Sequence, residues 1–154
     1  MGALHEVDRW LYRGGRPHTM ARCLNRGWAV LAGSGWAPKR VSRLEVTGRR
    51  SGAVVSFPVV VADFEGQDYL VSMLGEQANW VRNVRAAEGR AVLGHGRRQR
   101  VALQEIPPDA RAPILRRYLE VAPGARAHVA VGRHASLDEF ERVAHQYPVF
   151  KITA

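Results

Sequence analysis

The sequence predicts one mostly β domain of the α+β class, a small antiparallel barrel with helices on its flanks. Three observations lead there. Apolar residues alternate with period two through most of residues 41–106. Only short helical stretches interrupt them, so the regular strand–helix alternation of a doubly wound sheet is missing. The 154 residues are 46% hydrophobic and 24% charged, a globular composition long enough for one real core.

Taken in order, residues 1–40 read as an N-terminal segment and residues 41–154 as the barrel domain. Residues 1–16 are polar and rich in Gly and Arg. Over residues 17–31, Met20, Leu24, Trp28 and Leu31 recur at spacings of four and three, which predicts a helix. Gly33, Gly35 and Pro38 end it. Arg16, Arg22 and Arg26 edge this helix, a pattern compatible with an anionic membrane surface and equally with packing on the barrel. Residues 41–47 alternate with Leu44 and Val46 inward. Residues 53–62 place Val55, Phe57, Val59 and Val61 on one face, with Pro58 marking an edge or a bulge. A turn at residues 65–68 leads to a short strand at 69–73. A helix at 78–87 carries Trp80, Val81, Val84 and Ala87 as its buried stripe, closed by Gly89. Residues 91–93 and 97–106 form a hairpin around Gly94-His95-Gly96. Pro107-Pro108-Asp109 opens a helix bearing Ile114, Leu115, Tyr118 and Leu119, and Pro123-Gly124 breaks it. Ser136-Leu137-Asp138-Glu139 is a capping-box pattern. Residues 147–152 form a last strand.

The formal net charge is +9, almost all of it arginine, since Lys39 and Lys151 are the only lysines. Such a surplus suits an anionic partner or an arginine-rich solvated surface. Cys23 is the single cysteine, so no disulfide framework forms within the chain and a reducing, cytoplasmic setting fits. The first eleven residues carry Glu6 and Asp8 and no apolar stretch, unlike a signal peptide. Apolar runs fall far short of a membrane span.

Two segments carry chemistry. In Gly48-Arg49-Arg50-Ser51-Gly52, two strands meet at a turn that offers two guanidiniums, a hydroxyl and approachable backbone N–H groups. Those groups suit a phosphate, and a basic hairpin turn is the plain alternative. In Ser72-Met73-Leu74-Gly75-Glu76-Gln77-Ala78-Asn79-Trp80-Val81-Arg82-Asn83, a strand ends, a glycine-containing loop turns and a helix begins. Free N–H groups at a helix start favour an anionic or carbonyl-rich ligand. Trp80 either lines a flat ring or sits in the core, and Asn79 and Asn83 either bind the ring edge or cap the helix.

Taken together, in this order and at this spacing, the two segments resemble the deazaflavin-dependent nitroreductase family. The resemblance implies a split β-barrel, akin to FMN-binding split barrels, that binds the deazaflavin coenzyme F420, with FMN the less favoured alternative. Carried over by position, it implies that Arg49, Arg50 and Ser51 bind the cofactor phosphate. Val55, Ser56, Phe57 and Pro58 would line the strand beside the cofactor, and Val71, Ser72, Met73 and Leu74 the strand end under the ring. Asn79, Trp80, Val81, Arg82 and Asn83 would close on the ring. The family often has Arg or Lys where Val55 stands and Tyr where Val81 stands. The tyrosine that helps protonate nitro substrates would fall near residues 122–125, where none occurs. Tyr118 and His128 are the stand-in candidates for the catalytic proton donor.

The implied reaction is hydride transfer from the reduced cofactor to a small electrophile: a quinone, an activated alkene or a nitro compound. A quinone accepts hydride readily and relies least on a proton donor. The alternative is a non-catalytic split-barrel protein that only binds a deazaflavin, a flavin or a similar ligand. Peripheral membrane contact through residues 17–31 and a homodimer are compatible with either reading. No nucleic-acid partner is expected, because aromatics do not interleave with arginine on one face. No metal is expected, because the six histidines form no ligand-spaced pair or cluster.

Overall fold

The computed structural model describes residues 40–95 and 97–154. The helix expected over residues 17–31 lies outside them. Among the described residues six strands, three α-helices and short 3₁₀ turns follow one another as β1 (Val41–Thr47), β2 (Val54–Phe64), β3 (Gln67–Val71), α1 (Asn79–Ala86), β4 (Arg90–His95), β5 (Arg97–Glu105), α2 (Ala112–Val121), α3 (Leu137–Val143) and β6 (Val149–Thr153). The strands close into a barrel in the order β1-β2-β3-β6-β5-β4. Every pairing in it is antiparallel. The predicted barrel with flanking helices is therefore the observed architecture.

Period-two patterning decides which side chains enter the barrel. In β1 Leu44 and Val46 are buried while Arg43 and Thr47 are exposed, as expected. Leu44, Val46, Val59, Leu70, Val101, Leu103 and Phe150 fill the interior, and Trp80, Val81 and Val84 of α1 join them. Helix α1 thus lays its apolar stripe on the barrel interior, and its arginines Arg82 and Arg85 are left at the surface. A second core lies on the opposite face of β2 and β3. There Val60, Ala62, Tyr69 and Val71 meet Ile114, Leu115, Tyr118 and Leu119 of α2 and Phe140 of α3.

Strand β2 keeps its ladder with β1 through Pro58, which pairs with Arg43 without a shift of register, so there is no bulge. Pairing with β3 begins only at Val61, so the other edge of β2 is open at Pro58, where a missing N–H costs least. Strand β3 stops at Val71 instead of residue 73, because Ser72 turns the chain: its hydroxyl donates to the Gly75 carbonyl at 2.8 Å. The diproline opens a 3₁₀ turn, Pro108–Ala110, and α2 begins only at Ala112. The capping box of α3 is complete, with Ser136 Oγ accepting the Glu139 N–H at 3.3 Å and Glu139 Oε2 accepting the Ser136 N–H at 2.9 Å.

Asp63 of β2 clips α2 to the sheet. Its carboxylate accepts from Arg40 at 2.7 Å and from Arg117 of α2 at 3.2 Å. The Arg40 hydrogen bond, opposed by desolvation and aided by Arg117, holds the Asp63 pKa down to about 2. A carboxyl whose pKa is lowered on folding stabilises fully above its unfolded value and loses that contribution as pH falls through the folded value. Asp63→Asn should therefore narrow the stability difference between pH 5 and pH 2. Thermal midpoints of wild type and variant across that range check this. The effect should be small, because the pair is half exposed.

Candidate anion site and adjoining cleft

The two chemistry-bearing segments meet in space. The turn after β1 is closed by Gly48 N–H to Ala53 O at 2.7 Å and Gly52 N–H to Gly48 O at 2.9 Å. Ser51 is exposed, and its hydroxyl accepts the Ala53 N–H at 3.2 Å. Arg49 leans onto the first turns of α1. Its backbone N–H reaches Asn83 Oδ1 at 3.2 Å, and its guanidinium reaches the same oxygen at 2.9 Å and Asn79 Oδ1 at 3.5 Å. Asn83 is 1% exposed, and its Nδ2 is a buried donor with no hydrogen-bond partner among the described residues.

Arg50 and Arg82 are exposed beside Arg49. Burial first, then repulsion from Arg50 and Arg82, lowers the Arg49 pKa from its ordinary value. Arg82 donates to Gln77 Oε1. No described carboxylate pairs with any of these three arginines, although carboxylates pair with arginines elsewhere on the surface. Helix α1 has Ala78 at its N-cap and no side-chain cap, so its first N–H groups add positive potential to the same place.

A cleft of about 300 Å³ is lined by Met73, Leu74, Gly75, His128, Gln146 and Tyr147. The loop 72–78 forms one wall and runs on directly into α1. The Tyr147 hydroxyl accepts the Ala130 N–H at 2.9 Å and lies 3.5 Å from the His128 carbonyl, which fixes the loop that carries His128. His128 itself is exposed at the rim.

The remaining sequence candidates take structural places. Trp80 is 6% exposed and lies in the barrel interior, its ring 6.3 Å from Phe57 and 5.6 Å from Phe150. Val81 is fully buried beside it, and Val71 belongs to the outer core. Of the two places the sequence leaves open for Trp80, these contacts are those of the core. Tyr118 is 3% exposed within the outer core, where burial raises its pKa, and it does not line the cleft beside loop 72–78. Ser72 spends its hydroxyl on its own turn. Ser56 accepts from Arg43 at 3.0 Å. Val55 is half-buried and Pro58 buried within β2. Gln146 and Tyr147 join the Gly75 loop at the cleft without any site signal in the sequence. The two segments lie some seventy residues apart, and no local pattern links them.

Comparison with known proteins bears on the family and the fold. The family model of F420H(2)-dependent quinone reductases matches residues 20–135. No curated protein matches the chain. Among solved structures, the chain is similar to an F420-H2 dependent reductase at 14% identity and TM-score 0.50, covering 79% of this chain and 100% of that one. It is also similar to a protein described as a domain-swapped dimer, at 15% identity and TM-score 0.53, covering 75% and 81%. A third likeness is to a protein of unknown function from Agrobacterium tumefaciens, at 14% identity and TM-score 0.52, covering 75% and 48%. At these identities the structures speak for the fold. The family match spans well over half of the sequence, and with it the chain belongs to the F420H2-dependent quinone reductase family, as an oxidoreductase with coenzyme F420 as its cofactor.

Proposed function

We propose that the protein reduces a quinone, with the anionic part of F420 held at the Arg49–Arg50–Arg82 cluster and the acceptor ring in the cleft beside loop 72–78. The carrying observation is the junction of Arg49 with Asn83 and Asn79, which gathers three cations and an uncapped helix start without a neutralising carboxylate among the described residues. Like charges gathered in this way are costly unless an anion joins them. The buried Asn83 Nδ2 is a donor awaiting an acceptor, which also suits an incoming oxygen. The residues present therefore fit the cofactor's phosphate.

Reduced F420, when bound, supplies a hydride. The chain supplies the rest. Arg50 and Arg82 bind the anion through charge-assisted hydrogen bonds, and Arg49 fixes the turn against α1. Met73 and Leu74 present an apolar wall that suits a flat ring and excludes water. Reduction of a quinone to its hydroquinone needs one proton besides the hydride. His128 is the ionisable ring lining the cleft, with no side-chain hydrogen bond among the described residues, which supports it as the donor of a proton to the quinone oxygen.

Stopped-flow oxidation of reduced F420 by menadione and by a nitroimidazole, side by side, tests this reading. Menadione should be reduced faster, and His128→Ala should lower the menadione rate about tenfold while leaving F420 affinity unchanged. Faster turnover of the nitro compound would overturn the quinone assignment. An unchanged rate in His128→Ala would remove the proton-donor role and leave solvent as the source.

A further inference from the structure

A chain of charged side chains runs behind the cleft and touches both of its walls. At one end Glu76 follows Gly75 in the loop wall, and its Oε2 accepts from Arg85 Nη1 of α1 at 2.7 Å. Arg85 then grips Glu105 at the end of β5 with two parallel bonds, Nε to Oε1 at 2.8 Å and Nη2 to Oε2 at 2.7 Å. Glu105 Oε2 also accepts from Arg111 at 3.0 Å. Arg111 is 3% exposed, and its other donors reach main-chain carbonyls: Ile106 at 2.7 Å, and Ala144 and Tyr147 at 3.4 Å each. Tyr147 is the opposite wall of the cleft. The two walls also approach directly, since a Cβ on Gly75 would lie 3.3 Å from the Gln146 carbonyl oxygen.

We propose that Glu76–Arg85–Glu105–Arg111 is a positioning chain that holds the two walls of the cleft at a fixed separation and so sets the affinity for the acceptor. This rests on the reading of the cleft as the acceptor site. Arg85 is the shared member, because its two faces hold the loop and the sheet at once. A bidentate arginine–carboxylate pair has a fixed plane, so the tether transmits orientation as well as distance. Hydrogen bonds from Arg85, opposed by desolvation and aided by the charges of Arg85 and Arg111, hold the Glu105 carboxyl below the ordinary carboxylate range. Glu76 and Arg85 are both part-exposed, so they can be changed without opening the core.

The test uses the full chain and the variants Glu76→Gln and Arg85→Met. Hydrogen exchange is followed at Gly75 and Ala78, whose amides bond within the loop, and at Ala125 and Phe140, whose amides bond to residues outside the Glu76–Arg85–Glu105–Arg111 chain, as references. Both variants should speed exchange at Gly75 and Ala78 about tenfold and leave the references within twofold. The menadione KM should rise about fivefold in each, the F420 dissociation constant should stay within twofold, and the double variant should be no worse than Arg85→Met alone. Unchanged or uniformly faster exchange would overturn the proposal, as would a KM that does not move or effects that simply add. If the wild type failed to bind F420, the functional reading would fall, while the exchange pattern would still decide whether the tether exists.

Discussion

Arg50→Ala is expected to weaken F420 binding roughly ten- to a hundred-fold, and the Arg49→Ala/Arg50→Ala double variant by still more. Hydrogen bonds to charged groups contribute about 1.5–3 kcal/mol each, and a factor of ten is about 1.4 kcal/mol. The two positions differ in what else they hold. Arg50 is exposed, so its removal should leave the fold untouched. Arg49 also bonds the buried Asn83 and half-buried Asn79, so Arg49→Ala removes the guanidinium bonds to both, leaves Asn83 Oδ1 only the backbone N–H of residue 49, and loosens the turn from α1. Arg49→Ala should therefore lose stability by about 1–3 kcal/mol as well as affinity. Fluorescence titration of F420, with a thermal melt for each variant, separates the two effects. Binding should also weaken with added salt. A folded Arg50→Ala protein with wild-type affinity would end the assignment.

Gly89→Ala is expected to destabilise the protein by about 3 kcal/mol or more, a loss on the order of 6–12 °C in thermal midpoint. Gly89 closes α1 at φ +81°, in the left-handed region, with its N–H on Val84 O at 2.9 Å. The neighbouring Glu88 already adopts φ +56°. At the same time Gly89 O accepts the Leu103 N–H at 2.8 Å, which brings the backbone against β5 so closely that an added Cβ would collide with the Leu103 carbonyl. Strain and collision act together here, since α1 cannot retreat without opening the barrel interior around Trp80 and Val84. A variant with an unchanged midpoint would show that the helix end is softer than this packing implies.

What the sequence reveals follows the range of its signals. The strands of the barrel, the helix closed by Gly89 and the Ser136 capping box rest on neighbours a few residues apart, and these were legible. The pair of motifs around Arg49 and Asn83 was legible as two anionic-ligand signals. The bond that joins them spans thirty-four positions and emerges only when β1 and α1 pack. Trp80 and Tyr118 show the limit of periodicity. A buried stripe tells that an aromatic faces apolar surroundings, and a barrel interior and a ligand pocket look alike at that level. Trp80 fills the former, against Phe57 and Phe150. The Arg85–Glu105–Arg111 chain joins charges that no local sequence pattern links, and only the β5–α2 corner brings them together.

We propose the junction of the β1–β2 turn with α1 as the seat of the cofactor's anionic part. A crystal structure of the protein with F420 bound tests it most directly. The account predicts the phosphate oxygens within about 3 Å of the Arg50 guanidinium and the first N–H groups of α1, with Asn83 Nδ2 gaining an acceptor. A phosphate lodged elsewhere, with Arg49, Arg50 and Arg82 still facing no anion, would contradict it.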